Sequence, residues 1–254
     1  PGPQVLNTFF ADNGLSVLIE FDSTTDRMLQ TMEFDCVLLI VGINGSCIWY
    51  SDDMLAAFLD EESLQSAAVG STITLLSGKL QSASSMSVMN TTTITTSSSS
   101  SSPVTYLYNT EQVVSITAPE HPVLPIAHLV STPKIFICDG IAVDPTLSSG
   151  SGGADWLSLT WGVVAEHYTG AFTVDIDTTT LSTFLNANYS TTTAVAIIPS
   201  NLLPKTGKYS FTLSLVNKFH RMSAKTLEVL AISPQMSPQV VITGPPVVSL
   251  LRFN

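Results

Sequence analysis

The sequence predicts an all-β chain made of two sandwiches in tandem. Its apolar segments are short, recur at close intervals and are separated by turn residues. The one acidic helix-like start, at residues 58–66, is followed by no 3.6-residue apolar stripe. The length, 254 residues, exceeds one ordinary domain of about 100–150 residues.

From the N-terminus, residues 5–10, 15–21, 36–41, 47–50, 54–59 and 72–76 form alternating or continuous apolar runs of strand length. Asp12-Asn13-Gly14 between the first two predicts a hairpin with a type I′ turn, since Asn-Gly tolerates the positive φ angles that turn needs. Asp60, Glu61 and Glu62 make an acidic first turn, so residues 58–66 are expected to be a loop with at most one helical turn. Cys36 and Cys47 flank the run VLLIVGINGS, a spacing that a hairpin between adjacent strands could bridge. Cysteine usage alone allows another reading, three buried reduced thiols with Cys138 as the third. Residues 104–108 and 113–117 read as strands that close the first domain, residues 1–118. Pro119, Pro122 and Pro125 then read as a stiff connector, which places the boundary near Pro119.

The second domain is expected over residues 119–235. Within it, residues 125–143 lead into the Gly-rich loop at 148–154, then the run Trp156-LSLT-Trp161-GVV, and later Gly207-Lys208-Tyr209-SFTLSLVN. Tyr209, Phe211, Leu213 and Leu215 point one way and Ser210, Thr212, Ser214 and Val216 the other, as in a half-buried strand. A buried Trp on one strand opposite a Tyr-led strand is how immunoglobulin-like sandwiches fill their core. The segments VDPTLSSGSGGADWLSLTWGVV and IIPSNLLPKTGKYSFTLSLVN resemble the polycystic-kidney-disease-type (PKD-like) sandwich found within receptor-for-egg-jelly (REJ-like) regions. The first half, with FADNGLSVLIEFD, CIWYSDD and VGSTITLLSG, is similar to the β module that precedes such sandwiches in large ectodomains of algae and other protists. The resemblance implies tandem Ig-like/PKD-like sandwiches. In those modules a Cys follows the equivalent of Gly78-Lys79 and pairs with the Cys at the position of Cys138. Here residues 81–84 are Gln, Ser, Ala and Ser, so the resemblance implies an unpaired Cys138 and leaves Cys36 with Cys47 as the disulfide.

Residues 236–254 repeat the start of the second domain. Pro238 and Pro246 bracket QVVITGP with the same spacing as Pro125 and Pro133, which predicts a linker followed by the first strand of a further repeat, or a strand donated to a neighbouring molecule. Because the chain opens at Pro1, without the basic and apolar regions of a signal peptide, a processed chain or a piece of a longer one is expected.

Only 11% of the residues are charged, 44% are hydrophobic, and roughly a quarter are Ser or Thr, so hydroxyls replace charges on the surface. A net charge of -11 would repel a phosphate backbone, which argues against a nucleic-acid partner. The longest apolar run, residues 36–43, falls short of the ~18 residues a membrane helix needs, so no membrane span is expected in this segment. Asn44, Asn90 and Asn188 each open an N-x-S/T triplet and are candidate N-glycosylation sites. The Ser/Thr-rich tract 91–102 precedes Pro103, the composition of O-glycosylated segments. It makes Thr91, Thr92, Thr93, Thr95, Thr96, Ser97, Ser98, Ser99, Ser100, Ser101 and Ser102 candidate O-glycosylation sites, with Thr178–Thr180 and Thr191–Thr193 as further ones.

Catalytic chemistry finds little support. His121, His128, His167 and His220 are scattered without metal-ligand spacing. No nucleophile elbow occurs. Asp52-Asp53 and Asp60-Glu61-Glu62 read as solvated loop carboxylates rather than paired catalytic acids. The loop Gly150-Ser151-Gly152-Gly153 lacks the Lys and the helix of a phosphate cradle. Calcium is the one metal the pattern admits, through Asp139, Asp144 and Asp155 near strand ends, against the alternative that each caps a turn. The function expected is therefore non-enzymatic: an extracellular, glycosylated structural or adhesive segment, self-associating head-to-tail or as tandem repeats into a rod or filament. The alternative is a ligand-sensing ectodomain of a polycystin-like membrane receptor or channel. A carbohydrate-binding module of a secreted hydrolase would need an exposed aromatic platform, whereas the Trp residues read as core.

Overall fold

A computed structural model describes residues 2–30, 32–82, 107–169 and 172–233, with the backbone alone at 168, 169, 172 and 173. The tract at 91–102, Asn90, and the segment 236–254 lie outside the described residues.

The first half builds β1 (Val5–Phe10), β2 (Ser16–Phe21), β3 (Phe34–Asp35), β4 (Ile40–Val41), β5 (Gly45–Ser51), β6 (Met54–Leu59), the short helix α1 (Glu61–Ser66), β7 (Thr72–Leu75) and β8 (Gln112–Ser115). A five-stranded antiparallel sheet in the order β1-β2-β6-β5-β3 faces a three-stranded sheet, β4-β7-β8. Phe10, Val17, Ile19 and Leu55 from the larger sheet meet Ile40, Ile73 and Leu75 from the smaller in one buried cluster. Alternation along strands such as β7 sends one set of side chains inward, which is the physical origin of a sandwich, while the central β6 buries Leu55, Ala56 and Ala57 in succession.

The second half builds β9 (Lys134–Phe136), β10 (Ile141–Val143), β11 (Ser158–Thr169), β12 (Phe172–Ile176), the helix α2 (Thr179–Asn188), β13 (Ala196–Ile198), β14 (Gly207–Val216) and β15 (Met222–Ile232). Its main sheet runs β12-β11-β14-β15-β9, with β9 parallel to β15, and faces the pair β10-β13. Tyr209, Phe211, Leu213 and Leu215 on β14 are fully buried, as the alternation predicts. Trp161 on the adjacent β11 is buried beside them and donates through Nε1 to Tyr189 O at 3.0 Å. The Tyr209 hydroxyl donates to Lys205 O at 2.6 Å, four residues upstream, which is the tyrosine corner of immunoglobulin-like folds. Burial pushes the Tyr209 phenol above its ordinary value despite that bond. The chain is thus all-β with Ig-like sandwich architecture.

Four local expectations are corrected. The β1–β2 turn is not type I′: Gly14 N–H bonds Ala11 O at 2.8 Å, Asn13 does not adopt positive φ, and only Gly14, at φ 75°, is left-handed. A type I turn followed by a left-handed Gly closes the longer loop equally well. Residues 36–41 are not one strand, because after β3 the chain makes a 3-10 turn at Cys36–Leu38 and crosses to the opposite sheet at β4. Residues 61–66 form a helix, α1, whose N-terminus is capped by Asp60 Oδ1 accepting from Ser63 N–H at 2.8 Å. A ten-residue helix, α2, goes beyond the all-β expectation; Leu181 and Leu185, four apart, pack into the core and Phe184 packs against it. Of the expected strand at 104–108, residues 104–106 lie outside the described residues and Tyr108 pairs with Gln81 as an isolated bridge.

Candidate functional site

The most elaborately built place in the molecule is where three loops meet between the sandwiches: the β1–β2 turn, the Gly-rich loop at 148–156, and the β14–β15 turn at 217–221. The β14–β15 turn is shaped from within, since Asn217 Oδ1 accepts from Phe219 N–H at 3.1 Å and Arg221 N–H at 3.0 Å, and His220 sits at φ 58°. Asn217 Nδ2 then donates outward to Val123 O at 2.8 Å and Gly150 O at 3.0 Å. So one amide fixes the turn, the connector and the Gly-rich loop together.

The next residue, Lys218, enters the joint. It is 8% exposed, and Nζ donates to Gly14 O at 2.6 Å. Nζ also lies 4.7 Å from the Phe10 ring centroid and 5.6 Å from that of Phe219. Among the described residues no carboxylate forms an ion pair with it. Burial therefore pushes its ammonium down to about 8. Phe219 belongs to the first sandwich's core although it comes from the second half, and meets Phe10 edge-on at 5.6 Å.

Small residues let these loops approach. A Cβ on Gly14 would lie 2.4 Å from Gly152 O, so two backbones are in contact there. Two further bonds cross the junction: Val123 N–H to Asp12 O at 2.9 Å, and Asp155 N–H to Gln65 Oε1 at 2.9 Å. The arrangement contains no nucleophile paired with a base. What it does physically is hold the sandwiches in one orientation.

The Cys36–Cys47 disulfide is formed, with Cα atoms 5.0 Å apart, and both residues are fully buried. It does not close a simple hairpin, because the chain between the two crosses to the other sheet and back. Cys138 is free and exposed. Asn44 and Asn188 are both exposed; Asn188 Nδ2 donates to Phe184 O at 2.8 Å within α2. Thr179 and Thr180 open α2 on the surface, while the Thr178 hydroxyl is engaged by Val163 O at 2.7 Å.

The three calcium candidates do not converge. Asp144 accepts from Thr146 N–H at 2.8 Å, and the Thr146 bonds hold its carboxyl below the usual carboxylate range. Asp139 follows β9, where its N–H bonds Phe136 O, and Asp155 sits at the junction. Among the described residues no three His, Cys, Asp or Glu side chains come together as metal ligands. Asp52 pairs with Arg27, and Asp60 caps α1, so these carboxylates serve turns. The sequence reading missed Lys218 and Asn217. The signal was present: an Asn-Lys-Phe triplet following a fully alternating strand puts an amide, a cation and an aromatic at one turn.

No protein-family model matches the chain, and no curated protein matches it. A solved structure described as the protocadherin gammaB7 EC3-6 cis-dimer aligns with 88% of this chain and 44% of its own, at 10% identity and a TM-score of 0.24. The chain therefore spans less than half of that protein's length, and a likeness of this degree carries no argument about function. No helix among the described residues is long and apolar enough to cross a membrane.

Proposed function

We propose that the chain is a non-enzymatic, glycosylated, extracellular segment whose role is structural or adhesive, with two sandwiches acting as one stiff element of a rod or filament. The observation that carries this reading is the junction: a buried lysine bonded to a backbone carbonyl of the other sandwich, an amide tying the β14–β15 turn to the connector and the Gly-rich loop, and an aromatic of one half seated in the core of the other. A joint of this kind resists bending, which suits a load-bearing element better than a hinged sensor. The buried disulfide and the hydroxyl-rich, charge-poor surface support an oxidising, glycan-covered setting. The tyrosine corner and the buried Trp161 beside it are features of immunoglobulin-like sandwiches in general and are compatible with a PKD-type second half; the two separate cores support a division near Pro119.

The test is isolation of the chain from a secreting host, with intact mass before and after deglycosylation and electron microscopy of the material. A native mass above the 27.1 kDa polypeptide, with elongated particles, is the expected result. An unmodified, monodisperse monomer would contradict the reading.

A further inference from the structure

On the second sandwich, beside the joint that holds Lys218, two loops enclose a pocket of about 460 Å³, within the range of about 300–1,000 Å³ typical of small-ligand sites. One wall is the Gly-rich loop, with Ser149, Ser151, Asp155 and Trp156. The other is the segment after α2, with Ser190 and Thr192. The walls are tied together, since Trp156 Nε1 donates to Thr192 Oγ1 at 3.1 Å. The Gly-rich loop is fixed at both ends as well: Ser149 pairs with Ile126, and Asp155 N–H bonds Gln65. This is a preformed cavity on a rigid frame.

Its chemistry is specific. The hydroxyls of Ser149, Ser151 and Ser190 and the Asp155 carboxylate take no hydrogen bond from, and give none to, any other group among the described residues, so their bonding capacity is directed at solvent or a ligand. Trp156 is only partly buried against the second core, unlike Trp161, and so can present indole surface to the pocket. Among the described residues no Lys, Arg or His lines it, although Lys218 and His220 line the adjoining cleft that shares Asp155 and Trp156. Hydroxyl donors and acceptors, one carboxylate and an aromatic surface suit a neutral polyhydroxylated ring, which presents hydroxyls at its edge and C–H groups on its face. The lone carboxylate disfavours phosphate, sulfate and uronate in this pocket; Lys218 lines the adjoining cleft, but its Nζ is committed to Gly14 O.

We propose that this pocket is a binding subsite for a neutral saccharide residue, with Asp155 and the serine hydroxyls engaging sugar hydroxyls and Trp156 packing against the ring. The proposal does not rest on the structural role argued above, since a monomeric chain would bind the sugar equally.

The test uses the full chain labelled with ¹⁵N, titrated with the methyl glycosides of mannose, galactose, glucose, N-acetylglucosamine, arabinose and xylose, with glucuronate and glucose 6-phosphate as anionic counterparts. The Trp156 indole N–H signal should move saturably with at least one neutral sugar, while that of Trp49 in the other sandwich stays fixed. Because Asp155 is exposed and only its backbone N–H bonds another residue, Asp155→Ala keeps the fold, and it should weaken binding at least about tenfold, as loss of a charge-assisted hydrogen bond does. A second arm separates the sources of the sugar. If the binding glycoside dissociates associated native chain in sedimentation, the natural ligand is a glycan on a neighbouring copy; if the glycoside binds without affecting association, the site takes sugar from elsewhere. No movement with any neutral sugar, equal movement with the anions, or unchanged binding by Asp155→Ala would overturn the proposal.

Discussion

Replacing Lys218 with Met keeps the length and most of the volume of the side chain but removes the charge from the joint. Three effects compete. The variant loses a charge-assisted hydrogen bond to Gly14 O, about 1.5–3 kcal/mol, and ring contacts with Phe10 and Phe219 of about 1 kcal/mol. It also escapes the cost of burying an ammonium, which a fall from 10.5 to about 8 puts at up to about 3.4 kcal/mol. At neutral pH these nearly cancel, so Lys218→Met should change stability by no more than about 2 kcal/mol in either direction. The pH dependence does not cancel. With the folded value below the unfolded one, the unfolded chain binds more protons between pH 8 and 10.5, so the wild type gains stability as pH rises through that window. Relative to Lys218→Met, the gain should be about 2 kcal/mol, short of the full shift because water reaches part of the side chain. Urea unfolding followed by tryptophan fluorescence, for both proteins from neutral pH to pH 10.5, measures the difference directly, and other titrating groups drop out of it. Parallel pH profiles for the two proteins would refute the argument that the ammonium is held out of water.

Removing the disulfide with Cys36→Ala and Cys47→Ala together should cost about 3 kcal/mol from the chain-entropy term for a separation of 11 residues, read as a lower urea midpoint; an unchanged midpoint would mean the bridge adds nothing. Tyr209→Phe should lose about 1 kcal/mol, because the Lys205 carbonyl forfeits its partner at the tyrosine corner, whereas a neutral result would show that water replaces the hydroxyl. Gly14→Ala places a methyl 2.4 Å from Gly152 O at a left-handed residue, so it should destabilise by more than about 1 kcal/mol in thermal unfolding; a neutral outcome would mean that the two loops separate easily. Peptide mapping after N-glycanase should find conversion of Asn44 to Asp in material from a secreting host, since that side chain is exposed; its absence would remove Asn44 from the glycan sites.

The parts of the fold legible in the sequence are those where one force dominates. β14 alternates without interruption over ten residues, and burial follows that alternation residue by residue. The all-β character follows from many such short runs. Where two local solutions are close in energy, the sequence did not choose between them. Asn13-Gly14 suits a type I′ turn, yet a type I turn with a left-handed Gly14 forms instead. The apolar residues 36–41 are compatible with one strand or with a crossover, because a continuous apolar run carries no period to distinguish them, and Val37, Leu38 and Val41 prove exposed. The helix α2 hid in a threonine-rich stretch whose composition suggested surface, though Leu181, Phe184 and Leu185 carried helical spacing. Lys218 was invisible for a different reason: a lysine at a turn is ordinarily solvated, and only the approach of another domain's glycine buries it. Trp156 and Trp161 read alike in sequence, but one fills the core and the other lines a pocket.

The central claim is that the two sandwiches form one stiff unit, and residual dipolar couplings test it most directly. Backbone N–H couplings are measured in a weakly aligning medium and fitted separately for residues 5–82 and 126–232. One alignment tensor, equal in magnitude and orientation for both halves, is the result the junction predicts. Tensors of different magnitude or orientation, showing the halves reorienting independently, would contradict it.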